Sequence, residues 1–369
     1  MPGKRRNFVR GFGPICVALL AVVSACSGDE RVVANADTAL SVEPLAQGFV
    51  AAAAPDSIVA AGGLHLDGSK ATIGSSVWKW RTESATWSAL PHLPDNLLAV
   101  GVASVGANTF VVARDCTSFP EATDLASDCH RTVVVRLVDG SWTVVEPPHD
   151  VVNPVSSIGL VGQVGQRYLL LELSGSPTAF FAVFDVQTSK WSTVPRPELP
   201  AEQMMTGLCF SDGHILGYAT GIVSSPEVTS DAVSLVALDE HLQWSKVLTP
   251  GKVKFPRNNS SSLCAADSLI LQTTADEMTV LFVDSNDEPA LRAIPPPAPI
   301  EALPGPGVPP LGTIDRQIVS VPRDGKEQLS SLGSLSSGKP ILGLSDTARA
   351  YVLYDVGSDK MPAVQLVGD

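Results

Sequence analysis

The sequence predicts an all-β fold, a β-propeller of four-stranded antiparallel blades. Three observations carry this reading. Gly 30 and Pro 29 in 369 residues require many turns and work against a helical bundle. Trp87, Trp142, Trp191, Trp244, Ala290 and Met361 recur at intervals of 55, 49, 53, 46 and 71. Upstream of each marker lie short apolar or alternating runs separated by turn residues, as in antiparallel sheet. A four-stranded unit of about 50 residues is the size of a propeller blade. The markers count six blades. Residues 40–44, Leu-Ser-Val-Glu-Pro, also read as an outer strand, which would add a seventh or close the ring against the last. At 44% hydrophobic and 17% charged, the chain is too apolar to be disordered.

The first residues read as a leader rather than as part of the fold. Residues 1–10 hold Lys4, Arg5, Arg6 and Arg10 and no acid. The apolar run 11–25 falls short of the ~20 residues of a membrane span and ends in small side chains, the layout of an export signal. Val23-Ser24-Ala25-Cys26 resembles the bacterial lipobox. That resemblance implies cleavage before Cys26 and a diacylglycerol on its sulfur, with an ordinary leader and a chance cysteine as the alternative. Arg5, Arg6 and Phe8 stand at the offsets of a twin-arginine export motif, which their segment resembles; the general secretory route is the alternative. Residues 1–25 are therefore expected to be a signal peptide, 26–46 a lipidated N-terminus and polar tether, and 47–369 the propeller. This places the protein outside the cytoplasm, lipid-anchored to the bacterial cell membrane, at ~0.8 kcal/mol per buried CH₂.

The full chain carries a net charge of −13, and residues 1–25 contribute only bases to it. The remainder is more acidic still. Such a surface repels nucleic acid and anionic headgroups, so nucleic acid is excluded as a partner.

Within 47–369 the repeat has internal detail. Trp80 and Trp87 stand seven apart, as do Phe184 and Trp191. Val283 and Ala290, and Tyr354 and Met361, keep that spacing; Leu137 to Trp142 and Leu238 to Trp244 are shorter versions. Asp185, Asp239, Asp284 and Asp355 follow the first position, where an Asp side chain stabilises a turn. In the third repeat the strands are expected at 157–161, 168–173, 179–186 and 191–194. The tryptophans recur once per repeat, so they fill equivalent places between blades. Trp78 and Phe119 fall outside that register and are better placed to meet a ligand.

Gly62-Gly63 at a strand end, with Trp80, Trp87, Phe184, Asp185 and Trp191, resembles the kelch and galactose-oxidase-like β-propellers across about 47–369. The glycine doublet occurs once; Ala113-Arg114, Leu173-Ser174 and Ala219-Thr220 stand near its place elsewhere. The galactose-oxidase resemblance implies a copper site of two His, two Tyr and a Cys joined to one Tyr. Tyr168, Tyr218, Tyr351 and Tyr354 do not pair with a His at ligand spacing. Zincin, nucleophile-elbow and phosphate-loop motifs are absent from the sequence. No catalytic residue, no metal and no cofactor beyond the Cys26 diacylglycerol are expected.

Loop lengths point to one working face. With strands lettered a to d from the axis outward, the short turns 106–108, 138–140, 185–190 and 211–213 are a–b or c–d. The long connections 115–131 and 322–347 are b–c, and 147–154, 250–260 and 295–310 are d–a. Long ordered loops gather where binding occurs. The b–c/d–a face is thus the expected binding face, with His65, Asp67, Phe119, Asp124, His130, His149, Asp150, Lys254 and Arg257 as its candidates. His65 with Asp67 and His149 with Asp150 are the acid–imidazole neighbours; solvated loop pairs are the plainer reading.

Cys116 and Cys129 flank one b–c loop and are expected to form a disulfide worth ~3 kcal/mol; thiolate metal ligands with His130 are the alternative. Glu121, Asp124 and Asp128 in that loop form either a weak Ca²⁺ set or a merely acidic surface. Cys209 and Cys264 occupy matching inner-strand places, as buried thiols or as an inter-blade bridge. The Pro-rich run 294–310 reads as a stiff crossing, or as a proline ligand for another protein. Asn258 and Asn259 begin overlapping glycosylation sequons, idle in a bacterial setting.

The sequence therefore predicts a cell-envelope lipoprotein acting as a non-catalytic binding or scaffold module for an unidentified envelope protein or glycan. The alternative is a secreted propeller enzyme whose catalytic groups converge from several blades.

Overall fold

The structure, a computed structural model, describes residues 31–34, 45–54, 56–67, 70–116, 129, 131–147, 157–174, 179–199, 203–211, 214–221, 233–245, 262–265, 268–274, 277–283, 289–294, 301–303, 311–320, 330–335, 338–345, 349–355 and 362–367. Among the described residues there is no helix.

The strands form successive antiparallel sheets. β1 (Arg31–Ala34) comes first in the chain. The first sheet holds β2 (Val50–Ala54) and β3 (Ser57–Ala61), then, beyond an inserted hairpin of β4 (Leu64–Asp67) and β5 (Lys70–Ile73), β6 (Val77–Arg81) and β7 (Thr86–Leu90). The second is β8 (Leu97–Val105), β9 (Asn108–Asp115), β10 (Arg131–Val138) and β11 (Ser141–Val144). The third is β12 (Ser157–Val164), β13 (Tyr168–Ser174), β14 (Phe181–Asp185) and β15 (Lys190–Val194). The fourth is β16 (Gln203–Ser211), β17 (His214–Gly221) and β18 (Val233–Leu238), with Trp244 bridging back to Leu238.

The fifth sheet is β19 (Ser262–Ala265), β20 (Ser268–Thr274), β21 (Glu277–Val283) and β22 (Pro289–Ile294). The sixth is β23 (Glu301–Ala302), β24 (Leu311–Ile314), β25 (Gln317–Ser320) and β26 (Ser330–Ser334). The seventh is β27 (Lys339–Ser345), β28 (Ala350–Asp355) and β29 (Ala363–Val367), and β1 is its fourth strand.

The burial pattern explains the stacking. Every residue of β3 is buried, and so is the middle of β9, whereas β7 and β11 are mostly exposed. A strand buried on both faces needs a neighbouring sheet on each side. Apolar clusters fill those interfaces: Val59 and Val77 meet Val102 and Val111 between the first and second sheets, and Phe110 and Val112 meet Leu171 and Phe184 between the second and third. Ile58 and Trp80 meet Leu342, Tyr351 and Leu353, so the seventh sheet packs on the first. The innermost strands β2, β8, β12, β16 and β19 pack in succession, β24 packs on β27, and β27 returns to β2. Six of the seven junctions of a ring are thus in place, with the last sheet returning to the first, and the fold is a β-propeller. Glycine permits the closest approaches: a Cβ on Gly101 of β8 would lie 2.6 Å from Val161 Cγ2 of β12.

The expected strands of the third repeat are present with shifts at their ends. Two expectations near the C-terminus are corrected. The segment 322–347, expected as one loop, contains the whole of β26 and β27. The Pro-rich run 294–310, expected as a crossing, contains β23. The 71-residue interval between Ala290 and Met361 thus spans the whole sixth sheet and most of the seventh. Their strands are short and carry Ser and Gly in place of the tryptophan marker, which hides them. Arg31–Ala34 pairs with the last sheet; the segment 40–44 lies outside the described residues.

Candidate functional site

In the first four sheets the connections divide into two unlike sets, one on each face. Turns 106–107, 139–140, 165–167, 186–189 and 315–316 are tight, and the backbone goes left-handed at Asp139, Ser189 and Asp315 to make them. Hydrogen bonds lock these turns to one another. Thr82 N donates to Asp56 O at 3.0 Å and Val186 N to Arg167 O at 3.0 Å, from just past the third strand to the first turn, and Leu335 N, just past β26, donates to Arg316 O between β24 and β25 at 2.8 Å.

Side chains repeat the lock. Arg136 donates twice to Asn108 Oδ1, at 2.9 and 2.7 Å, and lies over the Phe110 ring. Arg167 donates to both Asp185 oxygens, at 3.0 and 2.6 Å. Those hydrogen bonds, aided by one from Gln187 N, hold the Asp185 carboxyl well below the usual carboxylate range. The same bond to Asp185 raises the Arg167 guanidinium. These polar groups are committed to holding the turns.

The opposite face carries the connections 62–76, 91–96, 116–130, 145–156, 175–180 and 195–202. Its chain segments brace one another. Leu93 N donates to Ser75 O at 2.8 Å, and the Ser75 hydroxyl meets His92 Nδ1 at 3.1 Å. Asn96 Nδ2 donates to Asp115 Oδ1 at 2.6 Å, and Cys116 N to Asn96 O at 2.9 Å. Arg131 pairs with Glu146, and Arg196 lies over the Phe180 ring at 5.2 Å. Cys116 and Cys129 are disulfide-bonded, with Cα atoms 4.2 Å apart and both residues buried. The bridge closes the 116–130 connection at its base and removes the thiolate-ligand alternative.

Gly62-Gly63 shapes this face locally. Both residues take positive φ, 72° and 101°, and a Cβ on Gly63 would lie 2.5 Å from Ala46 O. The doublet lets the b–c connection turn back over residues 46–47, where Leu64 N donates to Gln47 O at 2.8 Å. The β4–β5 hairpin follows from it.

Of the expected candidates, His65 lies half-buried in β4, and Asp67 ends the same strand. The structure keeps them on the long-connection face. Phe119, Asp124, His130, His149, Asp150, Lys254 and Arg257 lie outside the described residues, as do Glu121 and Asp128. Cys209 and Cys264 sit in β16 and β19, inner strands of adjacent sheets. Trp78 is buried against Leu45 and Ala60, so this off-register aromatic belongs to the core. Sequence reasoning missed Ser75 with His92 and Asn96 with Asp115. Their partners lie 17 and 19 residues apart, Ser75 and His92 on different connections and Asp115 at the end of β9, and no local motif marks them. Among the described residues no three His, Cys, Asp or Glu side chains gather as metal ligands, and no helix is long and apolar enough to cross a membrane.

No known family model matches the chain, and no curated protein matches it. Among solved structures the chain is similar to an oligogalacturonate lyase in complex with manganese, at TM-score 0.40 and 10% identity, covering 83% of this chain and 76% of that one. It is also similar to the acylaminoacyl peptidase of Pyrococcus horikoshii, at TM-score 0.45 and 10% identity, covering 70% of this chain and 43% of the peptidase. The chain thus spans less than half the peptidase's length. These findings correct the expected kelch and galactose-oxidase resemblance. Its leading residues, Gly62-Gly63, serve one local turn and do not recur. The twin-arginine lipoprotein leader likewise gains no support from the comparisons, and Arg5, Arg6, Phe8 and Cys26 lie outside the described residues.

Proposed function

We propose that this chain is an extracytoplasmic propeller of seven blades that binds its ligand on the face of long connections. The carrying observation is the contrast between the faces. On the tight-turn side Arg136 and Arg167 are spent within their own sheets, on Asn108 and Asp185. On the other side, the 62–76 connection is braced on 91–96 and 91–96 on the end of β9, and His92 and Arg196 remain exposed. A preformed, braced loop surface is what specific binding requires. The ligand is an envelope protein or glycan; the acidic balance disfavours nucleic acid. The Cys116–Cys129 disulfide supports a location outside the cytoplasm. Attachment to the membrane is through an acylated Cys26. Calorimetry with purified chain and soluble cell-envelope glycan fragments tests the binding reading. Binding that Arg196→Ala and His92→Ala weaken and Glu83→Ala leaves intact supports it; the reverse pattern refutes it.

A second reading is a propeller enzyme whose groups converge from several sheets on this same face. The Ser75 hydroxyl on His92 Nδ1 favours it, because a serine beside an imidazole is the first element of an activated nucleophile. Fluorophosphonate labelling of purified chain separates the readings. Covalent label on Ser75, lost in His92→Ala, establishes the enzyme; an unlabelled Ser75 removes its support.

A further inference from the structure

The register of β1 fixes the side of the molecule from which the preceding chain leaves. Arg31 pairs with Leu366, Val32 with Gln365 and Ala34 with Val364, so β1 runs antiparallel to β29. β27, which packs on the inner strand β2, pairs Ser345 with Ala350 of β28, so these two strands form the first hairpin of their sheet, as β8 and β9 do in the second. β28 therefore ends on the long-connection side, and β29 runs back to finish on the tight-turn side. Arg31, opposite the end of β29, begins β1 on that side. Ala34 points the chain toward the other face, where residues 35–49 lead to β2.

We infer that everything before Arg31 departs from the tight-turn face, and that an anchored molecule therefore holds its long-connection face away from the membrane. This rests on the Cys26 attachment proposed above. The sequence places Ser27, Gly28, Asp29 and Glu30 between Cys26 and Arg31. Fully extended, that segment reaches roughly 15 Å. The length decides how the face sits. Asp56, Glu83, Asp139 and Glu240 are exposed on the tight-turn side and repel anionic headgroups. Screening at physiological salt acts over about 8 Å. The segment is long enough to hold those acids beyond that range, yet too short to let the ring turn over. The anchor thus presents the binding loops outward, to a partner arriving from outside the membrane.

Two measurements test this separately. The first uses full chains with every cysteine except Cys116 and Cys129 replaced by Ser. Spin labels are placed at Gly28→Cys together with either Glu83→Cys or Asp95→Cys, which lie at opposite ends of the first sheet. The 28–83 distance is expected to be shorter than the 28–95 distance by on the order of 10–15 Å, the length of a strand. Equal distances, or the opposite order, overturn the exit side whether or not Cys26 is acylated. The second uses the chain with native Cys26, isolated in its own membranes, and a fluorophore at Glu83→Cys or Asp95→Cys. A headgroup quencher is expected to quench position 83 at least twofold more than position 95. A chain that washes off with salt and carbonate overturns the attachment and the outward presentation together, while the distances still decide the exit side.

Discussion

The indole nitrogen of Trp142 donates a hydrogen bond to the carbonyl oxygen of Pro91 at 2.8 Å, across the boundary between the second and first sheets. Trp244 does the same to Pro195, also at 2.8 Å, between the fourth and third. Each tryptophan packs toward the preceding sheet and caps the chain as it leaves that sheet's outer strand. Trp191 occupies the corresponding place against the second sheet, beside Val145, but its indole nitrogen is buried without an acceptor among the described residues.

That difference gives opposite outcomes for one substitution. Trp142→Phe loses a bond and strands a carbonyl, and urea unfolding should register a loss of about 1–2 kcal/mol. Trp191→Phe removes a buried donor that has nothing to bond, so its change should be below about 0.5 kcal/mol or a gain. Equal losses in the two variants would show that the Pro91 bond contributes nothing beyond ring packing.

The Cys116–Cys129 bridge closes a loop with a sequence separation of 13. Reduction, or Cys116→Ser with Cys129→Ser, should cost roughly 3 kcal/mol in unfolding free energy. The non-reduced protein should show no free thiol at either position by mass mapping after alkylation. Full alkylation of both without reductant would mean the bridge does not form.

Gly63→Ala tests the turn under the β4–β5 hairpin. The new Cβ meets a backbone oxygen at a positive φ, so relief requires movement of residues 46–47. The expected loss is about 1–3 kcal/mol by thermal or urea unfolding. A silent variant would show that the connection is not held back on Ala46.

Asp185 makes stability depend on acid. Its carboxyl titrates lower in the folded chain than in the unfolded one, because Arg167 and Gln187 N hydrogen-bond the charged form. Its contribution is therefore complete above the ordinary carboxylate range and is lost as pH falls through the lower folded value. Asp185→Asn should be less stable than the parent at pH 7, and the gap should narrow steadily below about pH 4. A gap unchanged down to pH 2 would show that the charge of Asp185 plays no part.

Much of the fold was legible because its markers are physical. Trp87, Trp142, Trp191 and Trp244 are spaced by the size of a blade, and the proline after a strand is what Trp142 and Trp244 cap. Where packing uses smaller residues the signal fades: β26 reads SSLGS and β23 lies among prolines. The glycine doublet was conspicuous in sequence, yet its cause is one backbone contact with Ala46, not membership of a repeat family. The Cys116–Cys129 bridge was readable from spacing. Ser75 with His92 and Asn96 with Asp115 were not, because nothing local records that connections 62–76 and 91–96 lie side by side, or that Asn96 reaches the end of β9.

The most direct measurement places a photo-crosslinking amino acid at Asp95, on the long-connection face, or at Glu83, on the tight-turn face, and irradiates intact cells. Ligand binding on the long-connection face requires a discrete adduct from position 95 and none from position 83. An adduct from position 83 alone would contradict it.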